Sequence, residues 1–110
     1  IQVSVGSDKY GAVWELTARG HAPAETDTGS VPCAAVSVLL RTFAHSCERD
    51  RGIDLDGEAA RPGDMKIRIL SVKRISRKTH RAFSRFLLQG LGETAREYPE
   101  QISVDVRVLK

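Results

Sequence analysis

Cys33 and His21 are the residues of this sequence whose types and placement best suit covalent chemistry. Eleven residues separate them, and Cys33 follows directly on a stretch with a glycine near each end. Ser30 is a favoured N-cap residue, and Pro32 is tolerated in a first helical turn, where its missing N–H costs nothing. The pattern therefore predicts Cys33 in the first turn of a helix. A thiolate there would face unpaired backbone N–H groups and the positive end of the helix dipole, both of which favour the anion. The N–H groups of Cys33 and Ala34 could hold an oxyanion during acyl transfer. A nearby imidazole could accept the thiol proton and later return it to a leaving amine. Each signal alone is weak, because cysteine is among the most buried residue types and a lone one in a helix is usually core.

The remaining candidates divide between support and packing. Ser37, one turn beyond Cys33, could donate a hydrogen bond to the sulfur or a substrate, although small residues mid-helix more often pack. Gly20 and Gly29 bracket the segment containing His21 and would permit hinge motion, so the 20–30 stretch reads as a lid whose closure brings His21 to Cys33. Cys47 lies fourteen residues past Cys33, about 21 Å along a helix, so it is neither a disulfide partner nor a resolving thiol, and it reads as core. His45 and Cys47 are two apart and do not face each other on a helix, and with His80 remote the spacing for zinc is missing. Trp14 and Tyr98 read as core or interface residues. No metal and no cofactor is implied.

The elements that must position these residues follow from periodicity. Ile1–Val5 and Ala12–Arg19 alternate as strands about the turn residues Gly6–Gly11. Gly20–Ser30 reads as a loop, long for so small a domain. Val31 to about Arg49 is the clearest helix, with Val36, Leu40, Phe43 and Cys47 as its apolar stripe. Ile53–Gly57 is a short strand, Arg61–Asp64 a turn, and Met65–Ile75 a strand with Met65, Ile67 and Ile69 on one face. Thr79–Tyr98 has helical spacing through Phe83, Phe86, Leu87, Leu91 and Ala95, weakened by Gly90 and Gly92. Ile102–Val108 closes the chain as a strand. The order β-β-α-β-β-α-β, with one polar face on the first, second and last strands, predicts a two-layer α+β domain. Both helices would cover one side of a single mixed or antiparallel sheet.

Gly20-His21-Ala22, followed after eleven residues by Cys33-Ala34-Ala35-Val36-Ser37, resembles the signature of the Prp family, bacterial ribosomal-processing cysteine proteases. The family pattern runs Gly-His-Ala, a Gly-bearing loop, then Asp-x-Val-Cys-Ala-Ala-x-Ser. The ending Gly90-Leu91, Tyr98-Pro99 and Ile102 is also similar, so the likeness covers essentially the whole chain. It implies that Cys33 is the nucleophile and His21 the general base, acting through a thioester. The implied substrate is the N-terminal extension of the large-subunit ribosomal protein numbered twenty-seven, and the implied assembly a homodimer. Two departures stand out. Ser30 replaces the family acid and Pro32 the valine before the cysteine. Ser30 could cap the helix but could not stabilise an imidazolium as a carboxylate does, which leaves Asp27 as a substitute.

Composition sets the limits around this chemistry. The chain has 110 residues, 41% of them hydrophobic and 28% charged, the make-up of one globular domain rather than a disordered tail. No stretch approaches a membrane span, and no leader opens the sequence, so the expected setting is the cytoplasm, without membrane contact. Two cysteines are too few for a disulfide framework. Seventeen basic against fourteen acidic residues give +3, but the charge is uneven. Residues 65–92 hold Lys66, Arg68, Lys73, Arg74, Arg77, Lys78, Arg81 and Arg85 and no acid, leaving nine basic against fourteen acidic elsewhere, a net −5. That segment reads either as solvated faces or as a footprint for ribosomal RNA. Glu25 and Asp27 would favour a cationic peptide. The competing reading is a non-catalytic ribosome- or RNA-binding module with a structural cysteine.

Overall fold

Apolar alternation and helical spacing become, in chain order, β1 (Gln2–Ser7), β2 (Val13–Arg19), α1 (Asp27–Arg49), β3 (Ile53–Arg61), β4 (Asp64–Val72), α2 (Arg77–Glu97) and β5 (Ser103–Val108), with a 3-10 turn at Arg74–Ser76 leading into α2. The computed structural model describes residues 1–20, 27–61 and 64–109, with 27–30 and 58–61 described by their backbone alone. The strands form one sheet in the order β3-β4-β2-β1-β5. The β1–β5 pair is parallel, and the β1–β2, β2–β4 and β3–β4 pairs are antiparallel. The expected α+β architecture and element order hold.

Register places one apolar row across the sheet. Val5 pairs with Leu16, which pairs with Ile67, and Val3 pairs with Ala18. These residues are buried under the helices together with Ile53 and Ile69. Helix α1 closes the core with Val36, Leu40, Phe43 and Cys47, the stripe its sequence predicts, and α2 with His80, Ser84, Leu87 and Leu91. The opposite sheet face stays polar, as a sheet covered on one side should. The helices meet closely at Gly90, where a Cβ would stand 2.8 Å from Leu39 Cδ2. There glycine trades helix propensity for close approach.

Several boundaries differ from the sequence expectation. Gly6 and Ser7 continue β1 through an irregularity opposite Val13, so Ala12 and Val13 are both buried and strict alternation fails there. The β1–β2 turn is held by Asp8, whose Oδ1 accepts from the N–H groups of Tyr10 (2.8 Å) and Ala12 (3.0 Å) and whose Oδ2 accepts from Trp14 Nε1 (3.1 Å). Gly11 supplies the left-handed φ of 81°. β3 runs on to Arg61, which pairs with Asp64. Lys73–Ile75 is not strand, because Ser76 is drawn in by Asp50, whose Oδ1 accepts from Ser76 Oγ (2.6 Å) and the Gly52 N–H (2.8 Å). Phe86 leaves the predicted apolar stripe, with 73% of its surface exposed. The stripe on α2 runs through 80, 84, 87 and 91, and Phe86 lies about 130° from its centre.

Candidate active site

Helix α1 begins at Asp27, four residues before the expected start. This overturns three readings. Ser30 is the fourth residue of the helix rather than its N-cap. Gly29 lies inside the helix rather than at a loop hinge. Pro32 and Cys33 fall in the second turn, with Pro32 inside the helix. The physical reason is visible in the sequence: Thr26-Asp27-Thr28 carries its own helix-start chemistry, with an acid favoured at the positive end of the dipole. Pro32 has no N–H to offer the Thr28 carbonyl, so the turn that includes 28–32 lacks one backbone bond. In an α-helix starting at Asp27, the N–H groups of Cys33 and Ala34 point at the carbonyls of Gly29 and Ser30.

Cys33 is partly exposed on the side of α1 that also carries Ser37 one turn on, and neither cysteine is in a disulfide. Ser37 is likewise partly exposed, and its carbonyl accepts from Arg41 Nε at 3.3 Å. Farther along this flank, Arg41, Ala44, His45 and Glu48 face Leu55, Gly57, Met65 and Ile67 across an open cleft of about 420 Å³. Ala34 is turned away from Cys33 toward a second groove of about 830 Å³ between α1 and α2, shared with Val31, Val38, Leu39 and Phe86. Cys47, on the core side, is fully buried. Burial, with Asp50 as a lesser cause, pushes its thiol up to about 12, so it has no part in chemistry near neutrality.

The segment that carries His21 leaves β2 at Gly20, whose φ of 87° is accessible to glycine at no cost. The Gly20 N–H donates to Asp64 Oδ1 at 3.1 Å, tying the start of that segment to the first residue of β4. His21 and Glu25, and with them the lid reading of 20–30 up to Thr26, lie outside the described residues. Asp27 stands at the first position of α1. Sequence reasoning missed the anchoring role of Asp64. The signal was present as the acid that follows Pro62-Gly63, but a long-range bond to Gly20 leaves no local pattern.

A model of the family described as cysteine protease Prp matches residues 1–103. The chain belongs to the cysteine protease Prp family. No protein with a curated description matches the sequence. The fold is that of SMU.848 from Streptococcus mutans, at a TM-score of 0.79 and 23% identity over 98% of this chain and 94% of that one. It is equally that of the essential ribosomal processing protease Prp from S. aureus. In complex with a covalently linked product peptide that protein gives a TM-score of 0.79 and 19% identity, covering 97% of this chain and 99% of that one. In complex with a substrate peptide it gives 0.77 and 18%, covering 96% and 98%. As a Prp family member the chain is a cysteine protease, and the cysteine in the family motif, Cys33, is the partly exposed one.

The fold divides the basic segment expected to act as one footprint. Lys66 stands between Thr17 and Glu58, and Arg68 between Glu15 and Asp56, on the open sheet face. Acids therefore flank these cations across the strands. Arg74, Arg77, Lys78, Arg81 and Arg85 lie on the 3-10 turn and α2, on the opposite side of the sheet.

Proposed function

We propose that this Prp family member is an endopeptidase in which Cys33 is the nucleophile and His21 the general base and acid. His21 takes the thiol proton as sulfur attacks the scissile carbonyl. It gives that proton to the departing amine, and water then hydrolyses the Cys33 thioester to release the acid product. The reading is carried by one observation: Cys33 stands partly exposed on the flank of α1 that leads past Ser37 and Arg41 into the cleft against β3 and β4, where an extended peptide has room to lie. The peptide complexes of the S. aureus relative support a peptide ligand for this fold.

The proposed substrate is the N-terminal extension of the large-subunit ribosomal protein numbered twenty-seven, met in the cytoplasm. Asp27 and Glu25 would favour its cationic character, with Asp27 also the candidate to orient His21 in place of the family acid. Oxyanion stabilisation by the N–H groups of Cys33 and Ala34 requires the turn from Asp27 to Ser30 to unwind, since those groups otherwise bond to Gly29 and Ser30. Pro32 lowers the cost of unwinding by the one bond it cannot make. A homodimer is the proposed assembly. The position of β5 at the end of the sheet supports it: antiparallel pairing about Val106 would set the two copies of the exposed Val106 against each other, Asp105 of one copy against Arg107 of the other, and Val108 against Val104.

The test is cleavage of a peptide spanning the ribosomal extension, read by mass spectrometry, with wild type, Cys33→Ala and His21→Ala. Wild type should cleave, Cys33→Ala should not, and His21→Ala should lose at least a hundredfold in rate. Cleavage that survives Cys33→Ala refutes the reading.

A further inference from the structure

We propose that the flank of α2 facing the β1–β2 hairpin binds single-stranded RNA, with Tyr10 as a stacking platform. Arg77, Arg81 and Arg85 follow one another at four-residue intervals, about 6 Å apart along α2, with Lys78 beside them and Arg74 one turn before. The hairpin adds Lys9 and Tyr10. Tyr10 is 60% exposed, with the Arg81 guanidinium 4.5 Å and Lys9 Nζ 5.2 Å from the ring centre.

Three observations favour a polynucleotide. Among the described residues none of these six cations makes an ion pair, whereas Lys66 and Arg68 sit in register with acids. Asp8, in the hairpin, accepts three donors within its own turn and also feels the Arg81 charge, but it is one carboxylate against six cations. An exposed ring with a guanidinium and an ammonium beside it combines a surface on which bases stack with cations that track the phosphates. A ring in that position adds nothing to the binding of a purely acidic protein surface.

The surface is also separate from the protease site. On α2 the cations lie on one side of the buried line His80–Ser84–Leu87–Leu91, and Phe86, Gly90 and Glu93, which face α1, lie on the other. Binding here does not require cleavage. Only the choice of RNA over DNA rests on the ribosomal substrate proposed above.

The test is fluorescence anisotropy of a labelled 20-nucleotide single-stranded RNA of mixed sequence, from 50 to 200 mM salt. With five phosphates engaged, log affinity should fall against log salt with a slope of about −3.5, a loss of roughly a hundredfold over that range. The triple variant Arg77→Ala/Arg81→Ala/Arg85→Ala should flatten the slope by about 2. Tyr10→Ala should weaken binding at least about fivefold, and Tyr10→Phe should preserve it. Lys66→Ala/Arg68→Ala should leave affinity within about twofold, and all variants should keep the wild-type circular dichroism and peptide cleavage. Binding without salt dependence, or undiminished in the triple variant or in Tyr10→Ala, overturns the proposal. So does equal affinity for polyglutamate, or a preference for the same sequence as DNA or as duplex RNA. If peptide cleavage fails while RNA binding behaves as stated, the protease reading falls and this one stands.

Discussion

Replacing Ser84 with alanine removes the polar clamp that joins the β1–β2 hairpin to α2. Ser84 Oγ is fully buried. It accepts from the Val13 N–H at 2.8 Å and donates to the His80 carbonyl at 2.7 Å. His80 completes the clamp: its Nε2 donates to the Val13 carbonyl at 2.6 Å, and its ring meets the edge of Trp14 with centroids 5.3 Å apart. The two bonds lost in Ser84→Ala are not equivalent. The His80 carbonyl keeps its helical donor, the Ser84 N–H, so losing the hydroxyl costs it little. The Val13 N–H is buried and loses its bond to Ser84 Oγ, so the variant incurs the desolvation cost of an orphaned donor, about 1–3 kcal/mol. A loss of about 2 kcal/mol in a domain of 110 residues lowers Tm by roughly 8 °C.

The assay is urea unfolding followed by Trp14 fluorescence and far-ultraviolet circular dichroism, with an unchanged slope against denaturant showing that stability alone has moved. A loss below about 0.5 kcal/mol would show that Val13 finds another acceptor and that the clamp does not hold the hairpin. The same variant should loosen Tyr10 relative to Arg81, because the hairpin that carries Tyr10 is fixed to α2 through Val13.

The other expectations concern thiols, glycines and acid. At pH 7.5 iodoacetamide should label Cys33 and spare Cys47. A thiol pushed up to about 12 is roughly 3 × 10⁻⁵ thiolate at that pH and is buried besides, so comparable labelling of both in intact-mass spectra would contradict its place in the core. Gly92→Ala should raise stability by about 0.5–1 kcal/mol, since a Cβ there meets nothing within 4 Å. Gly90→Ala should gain less or lose, because its Cβ meets Leu39 at 2.8 Å; equal gains in thermal melts would count against that close approach. Asp50 is held below its usual 3.8 by the Ser76 hydroxyl and the Gly52 N–H. For Asp8, burial pushes upward, but Trp14, the N–H groups of Ala12 and Tyr10 and the Arg81 charge outweigh it. Their stabilisation is therefore complete above about pH 4 and is lost as pH falls through the lowered values. Asp8→Asn/Asp50→Asn should be less stable at neutrality and show a shallower decline in acid; an unchanged acid limb would refute the linkage.

The sequence disclosed most where a period was sustained and least where one bond decided an outcome. The stripe Val36, Leu40, Phe43 and Cys47 repeats every three or four residues, and it is the buried face of α1. Gly90 appeared only as a helix weakness, because its reason is Leu39 on another element. The site shows the same division. The motif around Cys33 is local and therefore legible, and it singled out the cysteine that the fold leaves partly exposed. The helix start was misplaced because Ser30 and Asp27 are both good N-terminal residues, and the proline beside Cys33 drew the choice to the later one. Lys9 and Tyr10 escaped notice because they lie outside the 65–92 segment in sequence and reach it only through the hairpin.

The earlier helix start changes where reactivity at Cys33 has to come from. The field of a helix end falls off within its first turn, and a cysteine seven residues into α1 is past that turn. Its flank carries Ser37 and the Arg41 side chain, which is spent on the Ser37 carbonyl. Neither is a base. In the proposed reaction the proton goes to a base carried by another part of the chain. The segment leaving Gly20 is tied at its root to Asp64 and must return to Asp27 within six residues. Of the other histidines, His80 is committed to Val13, and His45 lies three turns beyond Cys33 along α1. In the proposed mechanism that base is His21, the histidine of the family motif, and reactivity at Cys33 then depends on it rather than on the helix end.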